Sequence, residues 1–173
     1  MRLYKALLTN NDCYLRGRTI RPRGVMVHST GANNPWLRRY IAPDDGRLGT
    51  PSPRHWNQGG VGACVHAMIG KLADGTIAVY QTLPWNMRGW HCGRIGNDTH
   101  ISFEICEDGL TDEGYFRATY QAAVELTAYL CQLYHLDPKA DGVVLCHSEG
   151  YQRGIASNHA VVMHWWKKCG VDM

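Results

Sequence analysis

Two histidines occupy matching positions in the chain, each at the end of an apolar run. His28 follows Val25-Met26-Val27, and His147 follows Val143-Val144-Leu145-Cys146. Open α/β sheets place their active sites where rigid strands end beside loops, so both positions suit a functional side chain. Either histidine alone is more readily explained by a hydrogen-bonded structural role, and the repeated placement makes a shared site an equal alternative.

A third histidine, His159, follows His147 by twelve residues. The intervening segment contains Gly150 and Gly154, which allow the chain to fold back and bring the two imidazoles together. Three neutral imidazoles with an open fourth position form a catalytic zinc site, because the open position holds the water that the metal acidifies. His164 lies five residues after His159, so on a helix it points roughly 140° away and is not expected to share the metal.

Glu104 is the candidate acid and base. In the segment 100–106, alternation places Ile101, Phe103 and Ile105 on one face of a strand and Glu104 on the other. A carboxylate in an otherwise apolar strand is costly to bury without a partner. The position therefore indicates either an acid/base whose pKa is raised toward neutrality or a structural salt bridge.

Other side chains offer weaker candidates. His66 shares a strand face with Cys64 and Met68, and it is assigned either to substrate contact and support of the site or to plain packing. The adjacent Trp90 and His91 lie in a loop and are candidates for contact with a substrate.

A cysteine nucleophile is the alternative chemistry. Cys146 and Cys106 each end an apolar run and would need a histidine as base. Neighbouring residues of a strand point to opposite faces, so Cys146 and His147 cannot form a dyad with each other.

The elements that must position these groups alternate between strand and helix patterns. Strands are predicted over 24–28, 62–72, 76–83, 100–106 and 141–146, with a tight hairpin at Asp74-Gly75. A helix is predicted over 113–134 from apolar residues at intervals of three and four, and a last helix over 158–168 with Asn158 as its cap. The fold class is therefore α/β, with a mixed β-sheet flanked by helices.

Composition limits the function classes. The 173 residues suit a single domain, and 45% apolar with 19% charged residues is ordinary globular composition. A net charge of +3 without a dense basic stripe argues against nucleic-acid binding. Because no apolar run approaches the roughly 20 residues of a membrane span, and no signal peptide is evident, we expect synthesis in the cytoplasm. Seven cysteines, several within apolar runs, indicate buried, reduced thiols.

Several motifs resemble those of a known enzyme family. The stretches that carry the resemblance are His28-Ser-Thr-Gly, Ile101-Ser-Phe-Glu-Ile-Cys-Glu-Asp, Arg88-Gly-Trp-His-Cys-Gly, and His147-Ser-Glu-Gly with Gly154-Ile-Ala-Ser-Asn-His. Over about residues 5–166 the chain resembles the zinc N-acetylmuramoyl-L-alanine amidases of the type-2 amidase and peptidoglycan-recognition-protein superfamily, in the branch of phage endolysins and autolysins. With the length of the chain, we expect one catalytic domain over 1–173 and no wall-binding domain within it.

The implied reaction is hydrolysis of the amide between N-acetylmuramic acid and L-alanine in peptidoglycan. The zinc ligands carried over are His28, His147 and His159, and Glu104 matches the acid/base glutamate. We expect a monomer that, without a signal peptide, reaches the cell wall after holin-type release or lysis. A non-catalytic peptidoglycan-binding module of the same fold is the alternative.

The sequence departs from the family pattern at two positions close to His159. A lysine that stabilises the oxyanion often stands two residues before the third ligand, and Ser157 occupies that position here. Arg153, His66 or zinc alone are then the candidates for that role. Val161 stands where an acidic residue is expected. The substrate-contact set predicted for the groove is His66, Trp85, Trp90, Arg153 and Ser157.

Overall fold

The computed structural model describes residues 1–42, 44–159 and 161–173. Over these residues the chain forms six strands and four α-helices. Their bounds are β1 Leu3–Lys5, α1 Asp12–Arg16, β2 Gly24–Asn33, β3 Ala67–Lys71, β4 Ile77–Gln81, β5 His100–Glu107, α2 Glu113–Leu133, β6 Val144–Cys146, α3 His147–Gln152 and α4 Met163–Trp166. Short 3₁₀ turns lie at Leu37–Arg39, Ile95–Asp98 and Lys167–Cys169.

The six strands form one mixed sheet in the order β1-β4-β3-β5-β2-β6. Of these six, only β3 and β4 pair antiparallel, through the hairpin at Gly75, whose φ of 83° suits a residue without a side chain. The other neighbours run parallel, with β2 between β5 and β6. The predicted mixed sheet flanked by helices is confirmed.

The two faces of the sheet have different roles. One face carries the main apolar core and is covered by α2 and by Trp165 and Trp166. The opposite face is covered by the loops that follow β2, and it includes Met68, Tyr80 and Cys106 in a second apolar cluster. Because Glu104 alternates with the core residues of β5, its side chain lies on this second, loop-covered face.

Helix α2 follows the predicted period and boundaries closely. Asp112 caps it by accepting a hydrogen bond from the Tyr115 backbone N–H, and its buried side chains include Phe116, Leu126 and Leu130. The Tyr115 hydroxyl donates to the Cys106 carbonyl at 2.6 Å, which fixes the start of the helix against β5.

The C-terminal region departs from the sequence prediction. A single helix over 158–168 was expected, but α4 covers only Met163–Trp166 and Val162, not Asn158, stands at its N-cap. The Ser157 N–H instead donates to the Cys92 carbonyl at 2.8 Å, so contact with another loop overrides local helix propensity. Ala160, within the expected helix, lies outside the described residues.

Three short elements were not predicted. Strand β1 and helix α1 lie in the first sixteen residues, and α3 begins at His147, where a loop was expected. Glu149 explains the start of α3, because its carboxylate accepts a hydrogen bond from the Cys146 backbone N–H at 2.9 Å.

The seven thiols are free, six of them buried and Cys169 partly exposed, as the apolar context of the cysteines indicates. None of the helices in the described part of the chain combines the length and apolar character needed to cross a membrane.

Candidate active site

Strand β2 brings the two strand-end histidines and Glu104 together, because it lies between β5 and β6. His28 is the register partner of Glu104 on β5, so the two side chains project from the same face of the sheet. His147 follows β6 directly as the first residue of α3. His28 and His147 are 1% and 4% exposed, so this edge of the sheet holds two buried imidazoles.

The two imidazoles face each other through equivalent atoms. The Nδ1 atoms of His28 and His147 lie 3.1 Å apart, with the rings nearly perpendicular at 88°. The Nε2 of His147 lies 3.0 Å from the Ser157 carbonyl oxygen. A carbonyl only accepts hydrogen bonds, so Nε2 carries the hydrogen and Nδ1 of neutral His147 presents a lone pair toward His28.

This pair matches two ligand positions of a zinc ion. Ligands about 2.0–2.1 Å from a tetrahedral zinc lie roughly 3.3–3.4 Å from each other, close to the observed separation of the two Nδ1 atoms. The His159 ring is adjacent, 4.9 Å from the His147 ring centroid, and its Nδ1 lies 3.2 Å from the Ser157 hydroxyl. Within residues 1–42, 44–159 and 161–173, no group of three or more His, Cys, Asp or Glu side chains has the geometry to hold a metal ion without rearrangement. The donor chemistry fits zinc, with two nitrogens in place and the third imidazole beside them.

Burial keeps these imidazoles neutral. It lowers the pKa of His28 well below the ordinary 6.5, and the nearby His147 and His159 lower that pKa further. Burial and then His159 likewise lower the pKa of His147. A histidine must be neutral to bind a metal, and the lowered pKa values keep both rings in that form at neutral pH.

Glu104 is held in an environment that favours its proton. Burial, and then the charge of Glu107, raise the pKa of Glu104 to about 8. The residue is partly buried, but its Oε2 atom is shielded from solvent and has no hydrogen-bond partner among the described residues. A carboxyl group in this state exchanges a proton near neutral pH, as a general acid and base requires.

His164 has a different partner from the other histidines. Its Nε2 lies 3.0 Å from a carboxylate oxygen of Glu107, which also accepts a hydrogen bond from the Gly31 N–H. The contact joins α4 to the ends of β2 and β5. His164 therefore lies apart from the pair of facing imidazoles.

The predicted substrate-contact residues are distributed over several regions. Ser157 lies within the histidine cluster, with its hydroxyl 3.3 Å from the His147 Nε2. Trp90 packs in the small cluster around α1 and forms a backbone bridge with Cys64. Of the predicted set, Ser157 is the one that directly contacts a proposed ligand.

Among the described residues, three members of that set make no direct contact with the facing imidazoles. His66 is fully buried, accepts a hydrogen bond from the Ser102 N–H and donates through Nε2 to the Met87 carbonyl, and its ring centroid lies 6.4 Å from that of His91. Trp85 packs against Tyr129 on the α2 side of the sheet. Arg153 pairs with Asp141 and lines a separate groove of about 540 Å³ beside α2.

His91 takes a position that sequence reasoning did not assign. The sequence made it a candidate for substrate contact, and the structure places it against His28, with its Nδ1 3.0 Å from the His28 Nε2. Its position in the loop between β4 and β5 carries no periodic signal, so only its residue type marked it as a candidate.

Comparisons with known proteins identify the family and the fold of this chain. The model of the family described as N-acetylmuramoyl-L-alanine amidase matches residues 18–167. A search of curated protein sequences found no match.

Solved structures share the fold at low sequence identity. The Staphylococcus aureus hydrolase AmiA in complex with its ligand is 19% identical, with a TM-score of 0.70 over 99% of this chain and 78% of that one. The PlyG catalytic domain is 19% identical, with a TM-score of 0.58 over 89% and 88% of the two chains. The Ph2119 endolysin of a Thermus scotoductus bacteriophage is 25% identical, with a TM-score of 0.50 over 86% of each.

Proposed function

The chain belongs to the N-acetylmuramoyl-L-alanine amidase family, and we propose that it uses zinc to cleave the amide between N-acetylmuramic acid and L-alanine in peptidoglycan. The observation that carries the proposal is the convergence of the His28 and His147 Nδ1 atoms at 3.1 Å, with Glu104 as the register neighbour of His28. His159 is the proposed third ligand, because its ring lies next to that of His147.

Zinc bound at these histidines supplies a Lewis acid that lowers the pKa of water and polarises the scissile carbonyl. Glu104 takes a proton from the attacking water as the new C–O bond forms. It then gives that proton to the departing amine of L-alanine as the C–N bond breaks. One carboxyl group thus serves both steps and returns to its starting state.

Supporting roles follow from the contacts at the cluster. The Ser157 carbonyl holds His147 in the tautomer with a free Nδ1, so Ser157 supports the proposed site through its backbone. Its hydroxyl, near both His147 and His159, is the proposed polar contact to the substrate. The proposed place of action is the cell wall, where peptidoglycan is found.

The experiment that tests the proposal is digestion of purified cell wall followed by mass spectrometry of the products. Amidase action yields free N-terminal L-alanine on released stem peptides and intact glycan with unsubstituted lactyl groups. The matched control is His28→Ala, which removes a proposed ligand and should abolish both products.

Metal analysis gives the second measurement. About one zinc per chain is expected, and a chelator should remove both the metal and the activity. Wall binding without any cleaved amide would instead support the non-catalytic peptidoglycan-binding module. Full activity in chelator, lost on thiol alkylation, would support the cysteine hydrolase.

A further inference from the structure

We propose that His91 is a positioning residue that holds His28 in the orientation and tautomer needed to present Nδ1 to a metal. The His91 Nδ1 lies 3.0 Å from the His28 Nε2, and the two rings meet edge to face with centroids 5.1 Å apart. His91 therefore contacts the nitrogen of His28 that faces away from His147. The inference rests on the proposed zinc site at His28 and His147.

The hydrogen positions follow from the contacts on either side. His147 presents a lone pair at Nδ1, because its Nε2 donates to the Ser157 carbonyl. For His28 to bind the same metal, its Nδ1 must also lack a hydrogen, which places that hydrogen on Nε2. The His28 Nε2–H then donates to the His91 Nδ1, so His91 must carry its own hydrogen on Nε2.

A ligating histidine usually donates its second N–H to a carboxylate, a carbonyl or water, and this contact fixes the ring and raises its basicity. In this chain a neutral imidazole is the acceptor. It provides directional support without adding a negative charge beside the metal.

The loop that carries His91 is built around its ring. The Asn97 side-chain oxygen accepts hydrogen bonds from the backbone N–H groups of His91 and Cys92, each at 2.9 Å, and Asn97 is only 5% exposed. The Gly89 backbone packs directly on the ring, since a Cβ at that position would lie 3.1 Å from the His91 Cδ2. These contacts hold the His91 backbone and pack against its ring without involving His28.

The two ring nitrogens of His91 differ in their contacts, and the contact with His28 supports its role as a positioning residue. Its Nε2 is buried and has no hydrogen-bond partner in the described part of the chain. The contact with His28 is therefore the one side-chain hydrogen bond found for this imidazole among those residues. A leucine would suit such a buried position equally well if packing were its only purpose.

The test compares zinc affinity across a set of variants by competition with a chromophoric chelator. His91→Leu should weaken zinc binding about 10- to 100-fold, the usual effect of losing such a support. His91→Asn should retain most of the affinity, because its amide oxygen reaches the place of the imidazole Nδ1. His91→Gln, whose amide reaches toward the Nε2 position, should not.

A spectroscopic measurement on the same variants follows the proposed hydrogen bond directly. In the zinc-loaded protein, ¹⁵N NMR should detect a slowly exchanging proton on the His28 Nε2 in the wild type and in His91→Asn. The same signal should be lost in His91→Leu, because the acceptor that protects this proton is then removed.

His100→Leu is the matched control for the loss of a buried imidazole. His100 is 5% exposed and lies 3.0 Å from the Gly142 carbonyl, so its loss should reduce stability but leave zinc affinity unchanged. Thermal unfolding of each variant in chelator checks that the fold persists.

The outcomes separate this inference from the proposed function. Equal zinc affinity in the wild type and His91→Leu overturns the role of His91 and leaves the zinc site intact. Equal weakening in the Leu, Asn, Gln and His100→Leu variants also overturns it, because loss of packing would then explain the effect. A wild-type protein that binds no zinc overturns the proposed function, and this inference falls with it.

Discussion

At the level of single residues, the site depends on polar groups whose protonation is set by burial. The His28 and His147 imidazoles have lowered pKa values, whereas the pKa of Glu104 is raised to about 8. Desolvation is the first cause in all three cases, and it favours the neutral form of each group. Burial thus favours neutral imidazoles at the proposed ligands and a carboxyl group that can exchange a proton near neutral pH, on the same face of the sheet.

The role of Glu104 is tested by Glu104→Gln. The amide keeps the shape of the side chain but cannot take up a proton, so turnover should fall by roughly 10² or more while zinc content stays near one per chain. Steady-state hydrolysis of cell wall and metal analysis of the same preparation measure the two quantities. Wild-type rates in this variant would assign Glu104 a structural role.

The identity of the third ligand is tested by the pair His159→Ala and His164→Ala. His159 lies beside His147, whereas His164 contacts Glu107, so the first variant should lose zinc affinity and activity together. The second should keep a near-normal zinc content. Retention of zinc in His159→Ala with loss in His164→Ala would reverse the assignment.

At the level of elements, the short helix α1 is hydrogen-bonded to the loops that cover the face of the sheet on which Glu104 lies. Asn11 caps α1 by accepting from the Cys13 N–H at 2.9 Å, and its side-chain amide donates to the carbonyls of Trp56 and Ala63. One fully buried side chain thus joins α1 to the long segment between β2 and β3. The loop is held by specific hydrogen bonds more than by regular structure.

Asn11→Ala should therefore lower the free energy of unfolding by roughly 2–3 kcal/mol, because it removes a cap and leaves two carbonyls without their donor. Urea denaturation measures this loss. The control is Asn10→Ala, at an exposed neighbouring position, which should change stability by less than about 0.5 kcal/mol. Equal effects of the two substitutions would contradict the anchoring role of Asn11.

At the level of the whole molecule, buried histidines should dominate the pH dependence of stability. Burial lowers the pKa of five imidazoles, those of His28, His66, His91, His100 and His147. Below pH 6.5 the unfolded chain binds protons at these positions and the folded chain does not, so stability is present above that pH and is lost as pH falls. Each group contributes a slope of up to about 1.4 kcal/mol per pH unit.

Glu104 acts in the opposite direction. Its folded pKa of about 8 exceeds the ordinary 4.5, so stability falls as pH rises between those values. The five histidines outweigh the one glutamate through pH 6.5, so the protein in chelator should be most stable near about pH 7 and lose stability steeply toward pH 5. Urea midpoints at pH 5, 6.5 and 8 measure this profile.

Two substitutions test which groups make the free energy of unfolding fall as pH is lowered from 6.5 to 5. His100→Asn should make it shallower, because one buried imidazole is removed. His135→Asn should leave it unchanged, since His135 is exposed and asparagine accepts its positive φ of 55°. A flat profile between pH 5 and 6.5 would contradict the proposed dominance of the histidines.

The sequence by itself determined the features that depend on neighbouring residues. Alternation in β5 separates Glu104 from Phe103, the Asp74-Gly75 pair forms the hairpin, and the three-and-four spacing produces α2. These signals are local, because a side chain's direction within one strand or helix follows from the backbone period alone. The motifs were also sufficient to indicate the family.

Only the tertiary structure decided which groups meet. The contact of His28 Nδ1 with His147 Nδ1 spans 119 positions, and the place of His91 behind His28 depends on a loop held by Asn97. The position of Trp85 on the α2 side of the sheet also depends on the path of a loop. A loop has no backbone period, so the sequence does not predict the direction of its side chains. The path of a loop is set by the hydrogen bonds it finds across the fold, and those partners are distant in sequence.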